Sequence, residues 1–473
     1  MDYFKIKTYN SLCCMPVEII LNILSTLDID DLNNFSKQNK RLNRICKTNK
    51  LELIKSFLEK YQVDYTDPKN FIYFKEENVF YPPTLDLQKV FNLYLKHYNK
   101  TTIIVSNTPM FPVSNKTITS IPMYPKLETL DCSYNQLTTL PIMPKLKELY
   151  CKYNQLTTLP IMPELKTLEC ASNKLTTLPI MPELKTLVCS DNQLTTLLII
   201  PKLKELDCKY NQLTTLPITP ELKELDCSAN LLSTLPEMPE LKTLVCSENQ
   251  LTSIPMYSNL KKIYCFSNHL TTLSEMPDLE SLACGNNHLT SLPMYPKLKD
   301  LNCARNQLTT LPIMPDLKSL TCSDNQLTIL PIMPELKELS CGSNQLTTLS
   351  EMLYLELLIC PDNQLTTLPI IPDLKSLVCE NNHLTSIPMY PKLKRLTCER
   401  NKLTTLPIMP ELKTLVCSDN QLTQIPIMPR LQTLYCKNNS LTLIPSMPLL
   451  QELHCDQDVE IQSMPKSVYT VSF

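Results

Sequence analysis

Glycine is almost missing from this chain of 473 residues, where only Gly285 and Gly342 occur. A Gly-rich loop that wraps a phosphate therefore has no material, and nucleotide-dependent catalysis is not expected. An excess of one charge is missing as well. Lys and Arg number 45 against 47 Asp and Glu, a formal charge of −2. No net basic field exists to hold nucleic acid or an anionic membrane, so neither is expected as a partner, and any partner must be recognised by local surface. Long apolar runs are absent: stretches such as Leu197 to Ile200 stop far short of the roughly 20 residues that cross a bilayer. The segment Ser11 to Leu24 is interrupted by Glu18 and Asn22 and is followed by no small-residue cleavage site. It reads as an amphipathic helix and not as a signal peptide.

What the chain does have is cysteine, 21 in all. Eighteen of them recur at a strict interval of nineteen, from Cys132, Cys151 and Cys170 to Cys436 and Cys455; only Cys13, Cys14 and Cys46 lie outside this column. Three residues after each comes an asparagine, Asn135 through Asn439, with Asp458 in the last repeat. The unit reads LxxLxCxxNxLTxLPxMPx.

Leu127, Leu130, Cys132, Leu137 and Leu140 fit no helical period of 3.6, whereas Leu130 to Cys132 alternates as a strand does, one outward residue between two inward ones. Pro141 and Pro144 then remove backbone donors and fix φ, which makes the return limb extended or polyproline-like. One unit cannot bury its leucines alone. Stacked units share a core between a parallel sheet and the proline-bearing limb. The expected fold is an α/β solenoid dominated by parallel β, a horseshoe with an extended, proline-rich convex side. Eighteen turns at about 4.8 Å each give a sheet roughly 85 Å long.

The asparagine column is expected to be structural: a side-chain amide both donates and accepts, so it bridges the backbone of neighbouring turns where the chain leaves the sheet. The cysteine column is expected to face inward as a small hydrophobe. Without a C-x-x-C pair it does not have the spacing of a metal ladder, and unpaired core thiols suit a reducing compartment, cytosol or nucleus, with a cytoplasmic location expected. His269, His288 and His383 follow the asparagine and should face solvent, with His269 and His288 close enough to approach each other. No cofactor and no metal site is expected, and with no defensible Ser/His/Asp or Cys/His constellation the chain is not expected to be an enzyme.

The units resemble leucine-rich repeats of the short proline-containing class, as in LKTLECASNKLTTLPIMPE from Leu165 to Glu183. Near the N-terminus, Met15-Pro16-Val17-Glu18-Ile19-Ile20, Ile23-Leu24, Leu27 and Asp31-Leu32 resemble the opening of an F-box, L-P-x-E-I-L-x-x-I-L-x-x-L-x-x-x-D-L. The stretch from Phe35 to Cys46 is similar to the family's second signature. Met15 stands where the family has leucine, and the tryptophan common in the second stretch is absent, as it is from the whole chain. Read from the residues alone, Pro16 suits the first position of a helix, and Ile19, Ile20, Ile23, Leu24 and Leu27 form an apolar stripe on it.

The domains expected are an F-box-like helical domain over residues 1–60, a linker, helix and degenerate first repeat over 61–126, and the repeats with a C-terminal capping coil over 127–473. Ile118 and Ile121 belong to that degenerate repeat, while Val468, Val471 and Phe473 look like a last coil shortened by one residue. The resemblance implies docking of a Skp-type adaptor and a cullin complex through Met15, Pro16, Ile19, Ile20, Ile23, Leu24 and Leu32, while the repeats hold an unknown protein substrate. The other reading is a leucine-rich-repeat scaffold with a plain helical cap and no ligase link. Richness in Asn, Lys, Ile and Tyr and near-identical repeats look like F-box repeat proteins of giant DNA viruses of amoebae.

Substrate specificity is expected in the outward strand position. In the last third of the array this column is Ile359, Val378, Thr397, Val416, Tyr435 and His454, flanked by Leu357, Arg395, Arg400 and Lys437. It reads as an apolar anchor with a charged rim. Tyr134, Tyr150, Tyr153 and Tyr210, with Lys152 and Lys209, form a second candidate, because tyrosine buries a ring while keeping a polar tip.

Overall fold

The computed structural model describes residues 118–463 apart from Pro122, together with short strands at 72–74, 79–81, 102–104 and 470–472. The F-box-like stripe from Met15 to Leu32 and the helix expected between it and the repeats lie outside the described residues. The chain divides into two compact units, one ending at Gln193 and the other beginning at Leu194.

Every repeat opens with a three-residue strand whose central residue, leucine except for Ile263, is buried while its two neighbours are more exposed, as in Thr129–Asp131 and Ser376–Val378. In the first unit Thr102–Ile104, Thr129–Asp131, Glu148–Tyr150, Thr167–Glu169 and Thr186–Val188 pair in parallel, each with the next. In the second unit the same ladder runs from Glu205–Asp207 to Glu452–His454 and closes on Thr470–Ser472. Leucine pairs with leucine nineteen positions on, as Leu206 with Leu225. The period departs from nineteen at both ends. Ile103 lies opposite Leu130, and Leu453 opposite Val471, eighteen positions on, as the shortened last coil required.

After the strand the chain is extended or turned, and no helix occurs among the described residues. The second proline of the unit lies where the limb makes its tightest turn: Leu146 N–H donates to the Met143 carbonyl at 3.1 Å, with Pro144 in the position of a β-turn where a fixed φ is favoured, while Pro141 stands in the extended stretch before it. Leucine, cysteine and methionine of each unit fill the core; Leu168, Cys170, Leu175 and Leu184 are wholly inaccessible. Tyr124, Tyr257, Tyr295 and Tyr390 take the methionine position, and the hydroxyls of the last three donate to a carbonyl of the preceding coil: Pro236 at 2.8 Å, Ser274 at 3.2 Å and Pro369 at 2.9 Å. A buried phenol is tolerated there because its polar end is satisfied.

Ile118 and Ile121 are buried, and Ile118 N–H donates to Asn135 Oδ1 at 3.0 Å. The degenerate first repeat is thus joined to the array by the bond that joins the later ones as far as Leu422 and Asn439. One feature was not anticipated within the segment read as linker. The β-formers Ile72–Phe74 and Val79–Tyr81 pair as an antiparallel hairpin.

The asparagine column does the bridging expected of it. Asn306 donates through Nδ2 to the carbonyls of Cys284 and Cys303, both at 3.1 Å, and accepts the Leu289 N–H at 3.0 Å. One side chain therefore satisfies backbone groups of two coils, all buried. Asn306→Ala leaves a buried donor and two acceptors short of a partner and is expected to destabilise the array by about 3 kcal/mol, whereas Gln307→Ala, an exposed neighbour, should change stability by less than about 0.5 kcal/mol. Urea midpoints of the two variants measure the difference, and equal midpoints would refute the bridging role.

Candidate functional site

Outward-facing strand residues form columns, because parallel pairing in register sets each beside its equivalent in the next coil. Ile359 lies opposite Val378, Val378 opposite Thr397, Thr397 opposite Val416, Val416 opposite Tyr435, and Tyr435 opposite His454. All six are half-buried. The structure therefore brings the whole column together as one stripe. Leu357 and Arg395 stand on the parallel stripe across the central leucine, Arg395 exposed.

At the C-terminal end of the stripe the side chains contact one another directly. The rings of Tyr435 and His454 stack with centroids 4.1 Å apart and planes 8° from parallel. Tyr435 Oη donates to Glu452 Oε1 at 2.6 Å, and His454 Nε2 lies 3.2 Å from the same oxygen. These hydrogen bonds, Tyr435 first, hold the Glu452 carboxyl below the usual carboxylate range. A partner would meet ring edges already fixed in place, which lowers the cost of ordering on binding. Lys437 Nζ reaches Ser472 Oγ at 3.4 Å. Arg400 does not join the stripe; it sits at the turn with a left-handed φ of 52°, its Nε 4.0 Å from Asp419.

The second candidate divides between the two units. In the first, Tyr134 and Tyr153 stack at 4.5 Å, and Lys152 pairs with Glu169 at 3.2 Å. Tyr150 lies between Asp131 and Glu169 on the strand face, where burial, then Glu148 and Glu169, push its phenol up. In the second, Lys209 is held by Asp207 at 3.1 Å and Asp226 at 3.3 Å, and Tyr210 is exposed. The acidic company makes this surface different in kind from the aliphatic stripe.

His269 and His288 are exposed and their rings are parallel at 5.9 Å. Among the described residues no group of three or more His, Cys, Asp or Glu is placed to hold a metal ion, and no helix is long and apolar enough to cross a membrane.

Two surface columns escaped the sequence reading, although both are visible as repeat positions. The residue before the buried methionine is Ile or Met in most coils and is exposed, as Ile313 and Ile332 are. The residue immediately before each strand, two ahead of its central leucine, is lysine in most coils, from Lys147 to Lys413. A net charge near zero hid the second, since charge summed over the chain carries no information about its arrangement.

A solenoid of stacked parallel strands with buried, inward thiols and outward residues aligned in columns is a macromolecule-binding scaffold in class. The comparisons with known proteins give the family. A family model described as Leucine Rich repeats (2 copies) matches residues 125–163, and the F-box domain model matches residues 12–53. Among solved structures the chain is similar to YopM from Yersinia enterocolitica WA-314, at 32% identity over 82% of this chain and 96% of that one, with a TM-score of 0.71. It is also similar to a leucine-rich-repeat protein of Leptospira interrogans, at 27% identity over 67% and 91% of the two chains with a TM-score of 0.55. The functional domain of InlJ from Listeria monocytogenes, described as including a cysteine ladder, matches at 25% identity over 61% and 70%, with a TM-score of 0.53. No curated protein matches. The chain belongs to the leucine-rich-repeat proteins, and it carries an F-box domain at its N-terminus.

All eighteen column cysteines are free and buried. Burial raises the thiols of Cys265, Cys303 and Cys341 to about 12 from a model-compound value of 9.0. Because the folded value lies above the unfolded one, this contribution to stability is fully present below pH 9 and is lost as pH rises toward 12. Urea midpoints are therefore expected to stay level for these groups through pH 8 and to fall steeply above 9. In the native chain at pH 8 a thiol reagent should leave the eighteen column cysteines unmodified. Rapid labelling of the column, or a midpoint unchanged at pH 10.5, would contradict this.

Proposed function

We propose that this chain is a non-catalytic, substrate-recognition subunit of a Skp/cullin/F-box ubiquitin ligase. The observation that carries the reading is the presence on one chain of a segment matching the F-box model, residues 12–53, and a leucine-rich-repeat array. An F-box supplies a dock for a Skp-type adaptor through Met15, Pro16, Ile19, Ile20, Ile23, Leu24 and Leu32, and the array supplies a surface for a protein substrate. The contribution to catalysis is effective concentration, a substrate lysine held near the charged conjugating enzyme. The adaptor and the ligase act in the cytoplasm; Asn, Lys, Ile and Tyr richness and near-identical repeats support a giant DNA virus of amoebae as the source, with the host cytoplasm as its setting.

Affinity purification of the full chain beside one lacking residues 1–60 tests the adaptor link. Adaptor and cullin are expected with the first and absent from the second. Joint replacement of Pro16 and Ile20 by charged residues should have the same effect while circular dichroism barely changes, since stacked coils stabilise one another independently of the N-terminal segment. Wild-type adaptor recovery by the double variant would reduce this segment to a plain cap.

Substrate capture is assigned to the strand face bearing Ile359, Val378, Arg395, Val416, Tyr435 and His454. Val416→Ser with Tyr435→Ser removes one aliphatic and one aromatic anchor, each a contribution of roughly 2 kcal/mol at a buried interface. The double variant should lose captured substrate and keep the adaptor, as scored by quantitative mass spectrometry of the purified complexes. Loss from Tyr150 and Tyr153 substitutions with none from Val416 and Tyr435 would move the site to the first unit.

A further inference from the structure

In the second unit the residue two before each central strand leucine is lysine in ten of twelve successive coils: Lys204, Lys223, Lys242, Lys261, Lys299, Lys318, Lys337, Lys375, Lys394 and Lys413, with Glu280 and Glu356 as the interruptions. The backbone stacks these residues directly. Lys337 N–H donates to the Lys318 carbonyl at 2.8 Å, Lys394 to Lys375 at 2.9 Å and Lys413 to Lys394 at 2.9 Å. Rungs joined in this way are about 4.8 Å apart, well inside the Debye length of about 8 Å at physiological salt, so neighbouring ammonium groups repel.

The two glutamates relieve only their own neighbours. Glu280 pairs with Lys299 at 2.7 Å and Lys261 at 3.7 Å, and Glu356 pairs with Lys375. Among the described residues Lys223, Lys242, Lys318, Lys337, Lys394 and Lys413 have no ion-pair partner, and all six are exposed. Toward the C-terminal end the acids beside the ladder are themselves occupied, Asp373 by Lys392 and Glu411 by Arg430, and Arg395 adds a further exposed cation.

We propose that the ladder from Lys318 to Lys413 binds an extended acidic segment of polypeptide. Charge complementarity gives the sign of the partner and the setting gives its class. The stripe is one side chain wide and bordered by a column that carries Asp316 and Glu335, which a nucleic-acid duplex would press against. Single-stranded nucleic acid is held by successive aromatic stacking as well as charge, and beside Lys318 to Lys413 the strand columns hold no aromatic side chain, while the bordering column holds a single exposed ring, Tyr354. The strand columns hold Ile359, Val378 and Val416. An acidic chain laid along the ladder turns alternate residues to the same side about 6.6 Å apart, within reach of flexible lysines, and its apolar side chains meet the aliphatic stripe. The six rungs from Lys318 to Lys413, five of them lysine, span five steps or roughly 24 Å, the reach of about seven extended residues. This rests on the substrate-capture reading and names the chemistry of the segment captured.

The test uses the full chain, with labelled short poly-L-glutamate as the probe and single-stranded oligothymidylate of equal charge beside it. A ladder variant carries Lys318→Ala, Lys337→Ala, Lys394→Ala and Lys413→Ala; a control carries Lys174→Ala and Lys402→Ala, exposed lysines outside the ladder. Thermal melts check that both are folded. Polyglutamate should bind the wild type more tightly than oligothymidylate does, weaken with added salt, and bind the ladder variant at least about tenfold more weakly, the control matching wild type. Equal binding by wild type and the folded ladder variant overturns the proposal, and so does tighter binding of oligothymidylate. The probe needs neither adaptor nor natural substrate, so failure here is distinct from failure of the pull-down or of the Val416 and Tyr435 variant.

Discussion

The structure depends on one constraint: a nineteen-residue coil has more buried backbone polar groups and more exposed apolar surface than it can satisfy alone, and only a copy of itself in register relieves both. Leucine packs on leucine, the strands share a ladder, and asparagines such as Asn306 bridge two coils through four hydrogen bonds. A one-residue slip would turn the leucines outward and break the asparagine bridges together. This is why the period holds through the array and changes only at its ends, where Thr102–Ile104 and Thr470–Ser472 pair at other spacings.

The same constraint explains how the fold manages with two glycines. Two residues after the cysteine the backbone turns through the left-handed region in coil after coil, with φ between 51° and 58°. Neither glycine occupies this position. Asn, Asp and Ser fill many of the turns, and short polar side chains tolerate the conformation. Tyr134, Tyr153, Tyr210, Ala229, Glu248, Arg305 and Arg400 fill the rest, at a cost of about 1 kcal/mol each. The following asparagine fixes the turn from both sides, so the surrounding hydrogen bonds impose the conformation whatever residue stands there. The glycines lie elsewhere. A Cβ on Gly342 would come within 2.9 Å of the Pro361 ring, which occupies the equivalent position of the next coil.

A repeated core also separates stability from recognition. Since inward positions are fixed by stacking, outward positions vary at little structural cost, and each becomes a column with its own chemistry: an aliphatic and aromatic stripe, a lysine ladder, an exposed Ile and Met ridge. Function in such a molecule is read across coils and not along the chain.

The sequence by itself determined the period, the inward cysteines, the bridging asparagines and the extended proline-bearing limb, because each follows from what a single coil must bury and satisfy. It also carried the F-box spacing at Met15 to Leu32. What only the tertiary structure decided was which outward residues meet. Stacking placed Tyr435 on His454 with Glu452 between their polar ends, put Arg400 on a turn away from the stripe it was expected to flank, and aligned lysines nineteen positions apart into one ladder. Contacts of this kind depend on side chains from separate coils converging, and neither composition nor local pattern contains that convergence.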